Sequence, residues 1–195
     1  DSKVDQSVQQ RTFTNDSSMG FTFAFLDAER IRGYMSDHIK IDEFQDFNLD
    51  FVPIIAETMS ASEYRFATFS GTPKTIDGPL ETVWQQSSMA EWFIPCRAGG
   101  CNAWNIPSVD HHLLDMLGPL RDDISDSNPG LVCHKCRKPI NPRHGGWVHR
   151  HPERVGLHTG LHVPQPIMPM HYAKKDRWAE LLAKQQGANN TAPHV

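Results

Sequence analysis

The chain has 195 residues, of which 38% are hydrophobic and 22% are charged, and these values are typical of a globular protein. No apolar run approaches the length of a membrane span, so we expect no membrane partner. The first residue is Asp1 rather than Met, and we therefore expect an interior piece of a longer polypeptide.

The net charge of −4 conceals two halves of opposite sign. Residues 1–91 carry 7 Lys/Arg against 15 Asp/Glu, whereas residues 92–195 carry 12 against 8. From Leu131 onward the count is 10 against 3, and His38 is the one histidine before residue 110. A basic, histidine-rich half could face an anion such as nucleic acid, or it could be an ordinary solvated surface.

Two short alternating segments open the chain, residues 11–14 and 20–25, and the residues between them favour a turn. We predict a β-hairpin there. Asp27 could then cap a short helical turn that Gly33 ends.

The most informative stretch is 38–46, where a short apolar strand ends in two adjacent carboxylates, Asp42 and Glu43. Neighbouring strand residues point to opposite sides, so such a pair acts together only where the strand ends. In α/β sheets the ligand crevice lies at that edge. There Asp42 could hold Mg²⁺ through water, and Glu43 could deprotonate a water that attacks a γ-phosphate. The alternative is an ordinary strand end with solvated acids.

A βαβ unit is predicted around this acidic end. Residues 49–59 have apolar side chains at helical spacing, and residues 64–70 alternate as a strand. Parallel strands joined by a crossover helix finish at the same edge, so the hydroxyls of Ser70 and Thr72 should lie beside Asp42 and Glu43. The alternative is that residues 70–73 form a simple turn.

All four cysteines of the chain fall into two close pairs, Cys96 with Cys101 and Cys133 with Cys136. Two such pairs on turns place four thiolates at the corners of a tetrahedron, which is the geometry that Zn²⁺ prefers. Because four ligands leave no open coordination position, we predict a structural zinc ribbon. Disulfides are the alternative, but an intracellular compartment disfavours them.

The remaining elements are a helix at residues 79–86, a strand at 91–95, a proline-rich connector at 163–170 and an amphipathic helix at 176–184. His134, His158 and His162 could compete as metal ligands, but we interpret them as solvated or hydrogen-bonded side chains.

Taken together, these motifs resemble the large subunit of tailed-phage DNA-packaging terminases, of the type that contains a zinc ribbon. The matching elements, spread over most of residues 11–185, are Arg30-Ile31-Arg32-Gly33, Ile39-Lys40-Ile41-Asp42-Glu43, Ser70-Gly71-Thr72-Pro73, the two cysteine pairs, Gly146-Trp147-Val148, and Leu161-His162-Val163-Pro164-Gln165 before Trp178.

The resemblance implies an α/β fold, the C-terminal part of a P-loop (ASCE-type) NTPase sheet, followed by a small zinc ribbon and a helical linker. Asp42 would hold Mg²⁺, Glu43 would be the catalytic carboxylate, and Ser70-Gly71-Thr72 would couple ATP hydrolysis to movement. Arg30 or Arg32 would contact phosphate, a task that suits the planar guanidinium fork; the alternative is a pair of solvated loop arginines.

The resemblance also implies partners and a location. These are double-stranded DNA, the small terminase subunit, the portal ring and further copies of the same chain, in the cytoplasm of the host cell during phage assembly. The implied domains are the C-terminal half of the ATPase core at 1–91, the ribbon at 92–150, and at 151–195 a connector and helix that lead to a nuclease domain.

Two family features are missing from the sequence. No Gly-x-x-x-x-Gly-Lys-Ser/Thr pattern occurs, so we expect the phosphate-binding loop to precede Asp1. After Asp126 the acidic residues are Glu153, Asp176 and Glu180, which is too few for a two-metal nuclease site. We therefore expect this piece alone to bind ATP weakly and to leave DNA uncut.

Two other functions fit parts of the sequence. Residues 42–46 also resemble the acidic motif of superfamily-one helicases, although the next strand ends in Ser-Gly-Thr-Pro rather than Gly-Asp-x-x-Gln. A non-enzymatic zinc-ribbon module that binds DNA through the basic residues after Leu131 is the other alternative.

Overall fold

The computed structural model describes residues 9–23, 31 and 33–190. The chain forms two compact units, one ending at Val83 and one beginning at Trp84. No helix in the described ranges is both long enough and apolar enough to cross a bilayer.

Helices and strands alternate in short elements. The strands are β1 (Gln10–Thr12), β2 (Ser18–Gly20), β3 (His38–Ile41), β4 (Phe66–Phe69), β5 (Ala90–Pro95), β6 (Trp104–Asn105) and β7 (Gly146–His149). The α-helices are α1 (Val52–Glu57), α2 (Pro79–Gln86), α3 (Leu113–Met116), α4 (Pro169–Tyr172) and α5 (Lys175–Asn190). Single 3-10 turns lie at Phe44–Asp46, Leu49–Phe51, Pro142–His144, Pro152–Arg154 and Gln165–Ile167.

The predicted hairpin is present, but its second strand lies earlier than expected. β1 and β2 are antiparallel, with Arg11 opposite Met19. Asn15 accepts hydrogen bonds from the backbone and hydroxyl of Ser17, and Asp16 takes a left-handed φ of 62°. These contacts complete the turn by residue 17, so the second strand begins at Ser18 and covers residues 18–20. The predicted cap Asp27 lies outside the described residues.

The predicted βαβ unit is also present. β3 and β4 are parallel and in register, with Ile41 opposite Phe69. β4 begins at Phe66 because Arg65 has a φ of 43°, which an extended strand cannot adopt. An apolar space beneath the pair is lined by side chains from both strands and α1: Ile39, Ile41, Val52, Ile55, Ala56, Met59, Ala67 and Phe69. The sheet contains two strands among the described residues.

The second unit is built on an antiparallel sheet of order β6-β5-β7. β5, predicted from the sequence, is the central strand and pairs Trp92 with Trp147 of β7 and Ile94 with Asn105 of β6. The indoles of Trp92 and Trp147 meet edge to face, with ring centroids 4.9 Å apart. One core forms around this sheet, and its fully buried members are Ile94, Met116, Leu131, Cys133, Tyr172 and Trp178.

Helix α5 contributes to that core rather than projecting from it. The indole of Trp178 is fully buried, and its Nε1–H donates to the Gly118 carbonyl at 3.0 Å. The backbone N–H of Gly130 donates to the Tyr172 carbonyl at 3.0 Å. The predicted amphipathic face is therefore confirmed, and it packs on the segment that leads into the second cysteine pair.

The domain boundaries differ from the expected ones. The expected boundary between residues 91 and 92 falls inside β5, whereas the structure divides the chain between Val83 and Trp84. Residues 92–150 and 151–190 share one core. The reason is that the expected connector supplies core side chains, which a free linker would leave in water.

The close contact at Gly130 generates a prediction for stability. A Cβ at this position would lie 2.3 Å from Cδ2 of the Trp178 indole, so Gly130→Ala overpacks the core. We expect this substitution to lower the free energy of unfolding by about 1–3 kcal/mol, measured by urea titration. Gly146→Ala is the control because a Cβ there meets nothing within 4 Å. Equal stabilities for the two variants would contradict the packing.

Candidate metal centre and acidic strand end

The four cysteine sulfurs converge on one point of the second unit, and all lie within 4.8 Å of one another. Cys96 Sγ is 3.6 Å from Cys136 Sγ, and Cys101 Sγ is 3.8 Å from Cys133 Sγ. Four sulfurs at about 2.3 Å from a tetrahedral zinc lie roughly 3.8 Å apart, whereas a disulfide needs about 2.05 Å. All four cysteines are free thiols. The cluster can hold a metal ion, and its spacing is consistent with Zn²⁺.

Two similar turns present these thiols. The Cys96 N–H donates to the Ala103 carbonyl at 2.8 Å, and the Cys133 N–H donates to the Lys138 carbonyl at 2.9 Å. In each turn the residue after the second cysteine is left-handed, with φ of 51° at Asn102 and 61° at Arg137. Each turn therefore reverses the chain directly behind its cysteine pair and directs both sulfurs to the same side.

Burial and backbone dipoles set the charge of the sulfurs. Burial raises the pKa of the Cys96 thiol to about 12. Burial also raises the pKa of Cys133, but hydrogen bonds from the backbone of Cys136 and Lys135, together with the side chains of Cys96 and Cys101, outweigh it and lower the pKa to about 7. A metal ion binds the thiolate form of cysteine, so a divalent cation between these sulfurs would take the place of the proton that burial favours on Cys96. The site therefore suits a cation rather than four free thiols.

A buried amide behind the sulfurs joins the two cysteine-bearing segments. Asn105 is fully buried, and its Nδ2–H donates to the Ile94 carbonyl at 3.1 Å. Its Oδ1 accepts from both the backbone N–H and the imidazole Nδ1 of His134, each at 2.9 Å. The His134 ring also stacks on His112 at 3.9 Å between centroids. Sequence analysis missed Asn105, and its one signal was a polar residue in a short apolar strand.

The histidines considered as competing ligands have other partners. His134 is bonded to Asn105, and His162 Nδ1 lies 2.8 Å from the Glu91 carboxylate. Burial lowers the pKa of His158, and the nearby charge of Arg154 lowers it further. The cysteine group is the one cluster of three or more metal-ligating side chains found in the described part of the chain. The interpretation of these histidines as hydrogen-bonded is confirmed for His134 and His162.

In the first unit the ends of β3 and β4 lie side by side, as predicted. Ser70 Oγ donates to the Asp42 carboxylate at 2.8 Å. The backbone continues the contact, because the Ser70 N–H donates to the Ile41 carbonyl and the Phe44 N–H donates to the Ser70 carbonyl, both at 2.9 Å. Lys74 extends it with an ion pair to Asp46 at 2.6 Å. Residues 42–46 and 70–74 thus form one continuous edge.

The two carboxylates at this edge differ in their surroundings. Asp42 is exposed, and its pKa is lowered first by the Ser70 hydroxyl and then by the Glu43 backbone N–H. Glu43 is also exposed and has a left-handed φ of 52°, which ends the strand direction at this residue. Its carboxylate accepts from the Gln45 side chain. Both carboxylates are therefore accessible to an approaching cation or water.

Thr72 meets Glu43 through an intermediary that sequence analysis did not identify. The Thr72 backbone N–H donates to Gln45 Oε1 at 3.0 Å, while Gln45 Nε2 donates to Glu43. In the sequence, Gln45 stands out only by its position between Glu43-Phe44 and Asp46-Phe47. The other two expected phosphate contacts, Arg30 and Arg32, lie outside the described residues.

Half of the ten basic residues after Leu131 make contacts within the second unit. Five of them contact carbonyls or carboxylates of the chain: Arg137, Arg143, Arg154, Lys175 and Arg177. Lys135 and Lys138 beside the second cysteine pair are exposed. Arg143, Arg154, Lys175 and Arg177 are paired with carboxylates, so part of the positive charge counted in the sequence is neutralised within the unit.

The sulfur geometry predicts one zinc ion per purified chain, measured by elemental analysis. Cys133→Ser should abolish stoichiometric zinc and the cooperative unfolding of the second unit, because the ion joins its two cysteine-bearing turns. His134→Ala is the control and should retain the zinc, since that imidazole is bonded to Asn105. A fully folded, metal-free second unit would contradict the assignment.

The contact between Ser70 and Asp42 predicts a pH effect. Removing the hydroxyl in Ser70→Ala should raise the pKa of Asp42 toward its ordinary value, measured by NMR titration, because the bond favours the charged carboxylate. In the parent chain the bond stabilises the fold above the ordinary pKa, and this contribution is lost as pH falls through the lowered pKa.

Ser62→Ala is the matched control. It removes a similar bond, from Ser62 Oγ to Asp37 at 2.6 Å, next to the opposite ends of the same two strands. The Asp42 titration should be unchanged in this variant, and an unchanged titration in Ser70→Ala as well would exclude the hydroxyl as the cause.

Comparison of the chain with protein-family models, with curated proteins and with solved structures gives no match. Function is therefore inferred from the residues and the geometry described above.

Proposed function

We propose that the chain is part of an ATP-hydrolysing motor that packages double-stranded viral DNA, the large subunit of a terminase. The observation that carries the proposal is the shared edge of two parallel strands, where Ser70 contacts Asp42 and the Glu43 carboxylate is exposed. Carboxyl ends of parallel strands are where α/β proteins bind ligands. An acidic pair next to a hydroxyl-bearing turn fits the phosphate end of a nucleotide.

The two acids have separate roles in this proposal. Asp42 is the candidate for holding Mg²⁺, which would neutralise charge on the nucleotide phosphates when bound. Its ionised form, favoured by Ser70, is the form that binds a cation. Glu43 projects beyond the strand end at a left-handed residue, and it orients a water and accepts its proton as that water attacks the γ-phosphate.

The Ser70-Gly71-Thr72 turn reports the state of the nucleotide in this proposal. Its hydroxyl and backbone contact the acidic segment directly. Loss of the γ-phosphate changes the charge at this edge, and the turn is the nearest element that can respond. The phosphate-binding loop is not among these 195 residues, so the proposal places it in a preceding segment of a longer polypeptide.

The second unit has a structural role in the proposal. Four cysteine ligands leave no position for substrate, and the cluster is continuous with the core that includes Trp178. Double-stranded DNA, the small terminase subunit, the portal ring and further motor copies remain proposed partners.

A non-enzymatic DNA-binding module is the second candidate, favoured by exposed Lys135 and Lys138 next to the metal cluster. It predicts salt-dependent binding of DNA by this chain alone, since phosphate contacts release counterions. A helicase-like ATPase instead predicts strand separation coupled to ATP turnover. Turnover that drives duplex translocation without strand separation selects the packaging motor.

The central test is Glu43→Gln in the complete polypeptide. We expect kcat for ATP hydrolysis to fall by about 100-fold or more, because the amide cannot accept the proton of the attacking water. Nucleotide affinity should be retained, since Glu43 acts on water rather than on the nucleotide. Both quantities are measured by steady-state hydrolysis and by equilibrium nucleotide binding.

Glu63→Gln is the matched control, because Glu63 is an exposed glutamate that precedes β4 at the opposite edge of the sheet. It should hydrolyse ATP at the parent rate. Normal turnover in Glu43→Gln would remove Glu43 from the catalytic role, and a complete polypeptide without ATPase activity would refute the proposed function.

A further inference from the structure

We propose that Gln45 is a positioning residue whose side-chain amide couples the Glu43 carboxylate to the Ser70-Gly71-Thr72 turn, so that a movement of the turn moves the carboxylate. This inference rests on the proposed function for its catalytic consequence. The contacts themselves belong to the first unit and stand independently of it.

Both ends of the Gln45 amide are engaged. Its Nε2–H donates to the Glu43 carboxylate, and its Oε1 accepts the Thr72 backbone N–H at 3.0 Å. The side chain is 8% exposed, and Gln45 is the one buried polar residue among the described residues of the first unit. A buried amide with both partners satisfied is costly to displace.

Chemistry fixes the orientation of this amide. The Thr72 N–H is a donor and needs the oxygen, while the Glu43 carboxylate is an acceptor and needs the nitrogen. A flipped amide would face two unfavourable contacts. The amide therefore has one orientation, in which Oε1 contacts the turn and Nε2 contacts the Glu43 carboxylate.

Neighbouring contacts leave Glu43 as the principal partner of the nitrogen. The Asp46 carboxylate lies 3.5 Å from Nε2, and Lys74 Nζ already holds it at 2.6 and 2.8 Å. Phe44 is fully buried between the rings of Phe47 and Phe69, at 5.4 and 4.4 Å between centroids. Packing of Phe44 thus fixes the backbone next to Gln45. The Gln45 side chain is the part that can move when the turn moves.

The turn approaches Gln45 so closely that a side chain at position 71 would displace the amide oxygen. A Cβ on Gly71 would lie 2.0 Å from Gln45 Oε1 and 3.1 Å from the Phe44 backbone nitrogen. The amide oxygen would have to move, because the Phe44 backbone blocks the other side. An alanine at this position therefore disconnects the amide without changing Gln45.

The first arm of the test measures turnover in the complete polypeptide. Gln45→Glu keeps an acceptor for the Thr72 N–H but replaces the donor to Glu43 with a second negative charge. We expect kcat to fall about 10- to 100-fold, the effect of misplacing a catalytic group by about 1 Å. The KM for ATP should stay within about twofold, since binding is not the step affected. Gly71→Ala should act in the same direction, and Gln86→Glu, at an exposed position of α2, should leave kcat unchanged.

The second arm needs no nucleotide and uses the 195-residue chain. NMR hydrogen exchange should show slow exchange at the Gln45 side-chain NH₂ and at the Thr72 N–H. Gly71→Ala should accelerate exchange at both groups about tenfold or more, because local opening exposes them to water.

Gln45→Met, measured for turnover in the complete polypeptide, separates positioning from packing, because methionine fills the same volume without either hydrogen bond. If Gln45 only fills space, kcat in Gln45→Met stays at the parent value.

Parent-level kcat in Gln45→Glu or Gln45→Met, in an active polypeptide, would overturn the inference. Fast exchange of the Gln45 amide in the parent chain would overturn it as well. If the complete polypeptide does not hydrolyse ATP, the proposed function fails, and the exchange measurement alone decides whether the Gln45 amide joins Glu43 to the turn. Should Gln45→Glu fail to fold, Gln45→Met and Gly71→Ala carry the same comparison.

Discussion

The convergence of four thiols is the constraint on which the second unit depends. Cys96 and Cys133 are members of its apolar core as well as of the sulfur cluster. Two turns separated by about thirty residues must therefore be held together for the core to close. A small sheet with strands of two to six residues buries little apolar surface. The four sulfurs can hold a metal ion, which would supply a cross-link between the two turns.

The first unit uses hydrogen bonds for the same purpose. Segments 42–46 and 70–74 are joined by side-chain contacts at Asp42, Gln45 and Asp46, each reaching a partner 27 or 28 positions later. These contacts are polar and lie at the rim of a two-stranded parallel sheet. Asp42 and Asp46 are exposed, so water can replace their bonds, whereas the Gln45 amide is buried and costly to displace. The edge therefore combines two exposed contacts with one buried contact.

Much of this arrangement follows from local rules that the sequence displays. Parallel strands end at one edge, so Asp42 and Ser70 could be placed together from their positions alone. Cysteine spacing predicted the sulfur cluster. By contrast, Gln45 and Asn105 act through amides that bond across 27 and 29 positions, and no period or spacing marks such pairs. The packing of Trp178 was equally hidden, since an amphipathic helix does not specify which surface it covers.

That packing has a mechanical consequence. The Trp178 indole is bonded to Gly118 and pressed against Gly130, and Gly130 lies three residues before Cys133. Helix α5 is thereby fixed, through a buried side chain, to the segment that continues into Cys133. A rotation or shift of this helix would therefore displace the chain that positions Cys133, so the helix and the cysteine cluster cannot move independently of each other.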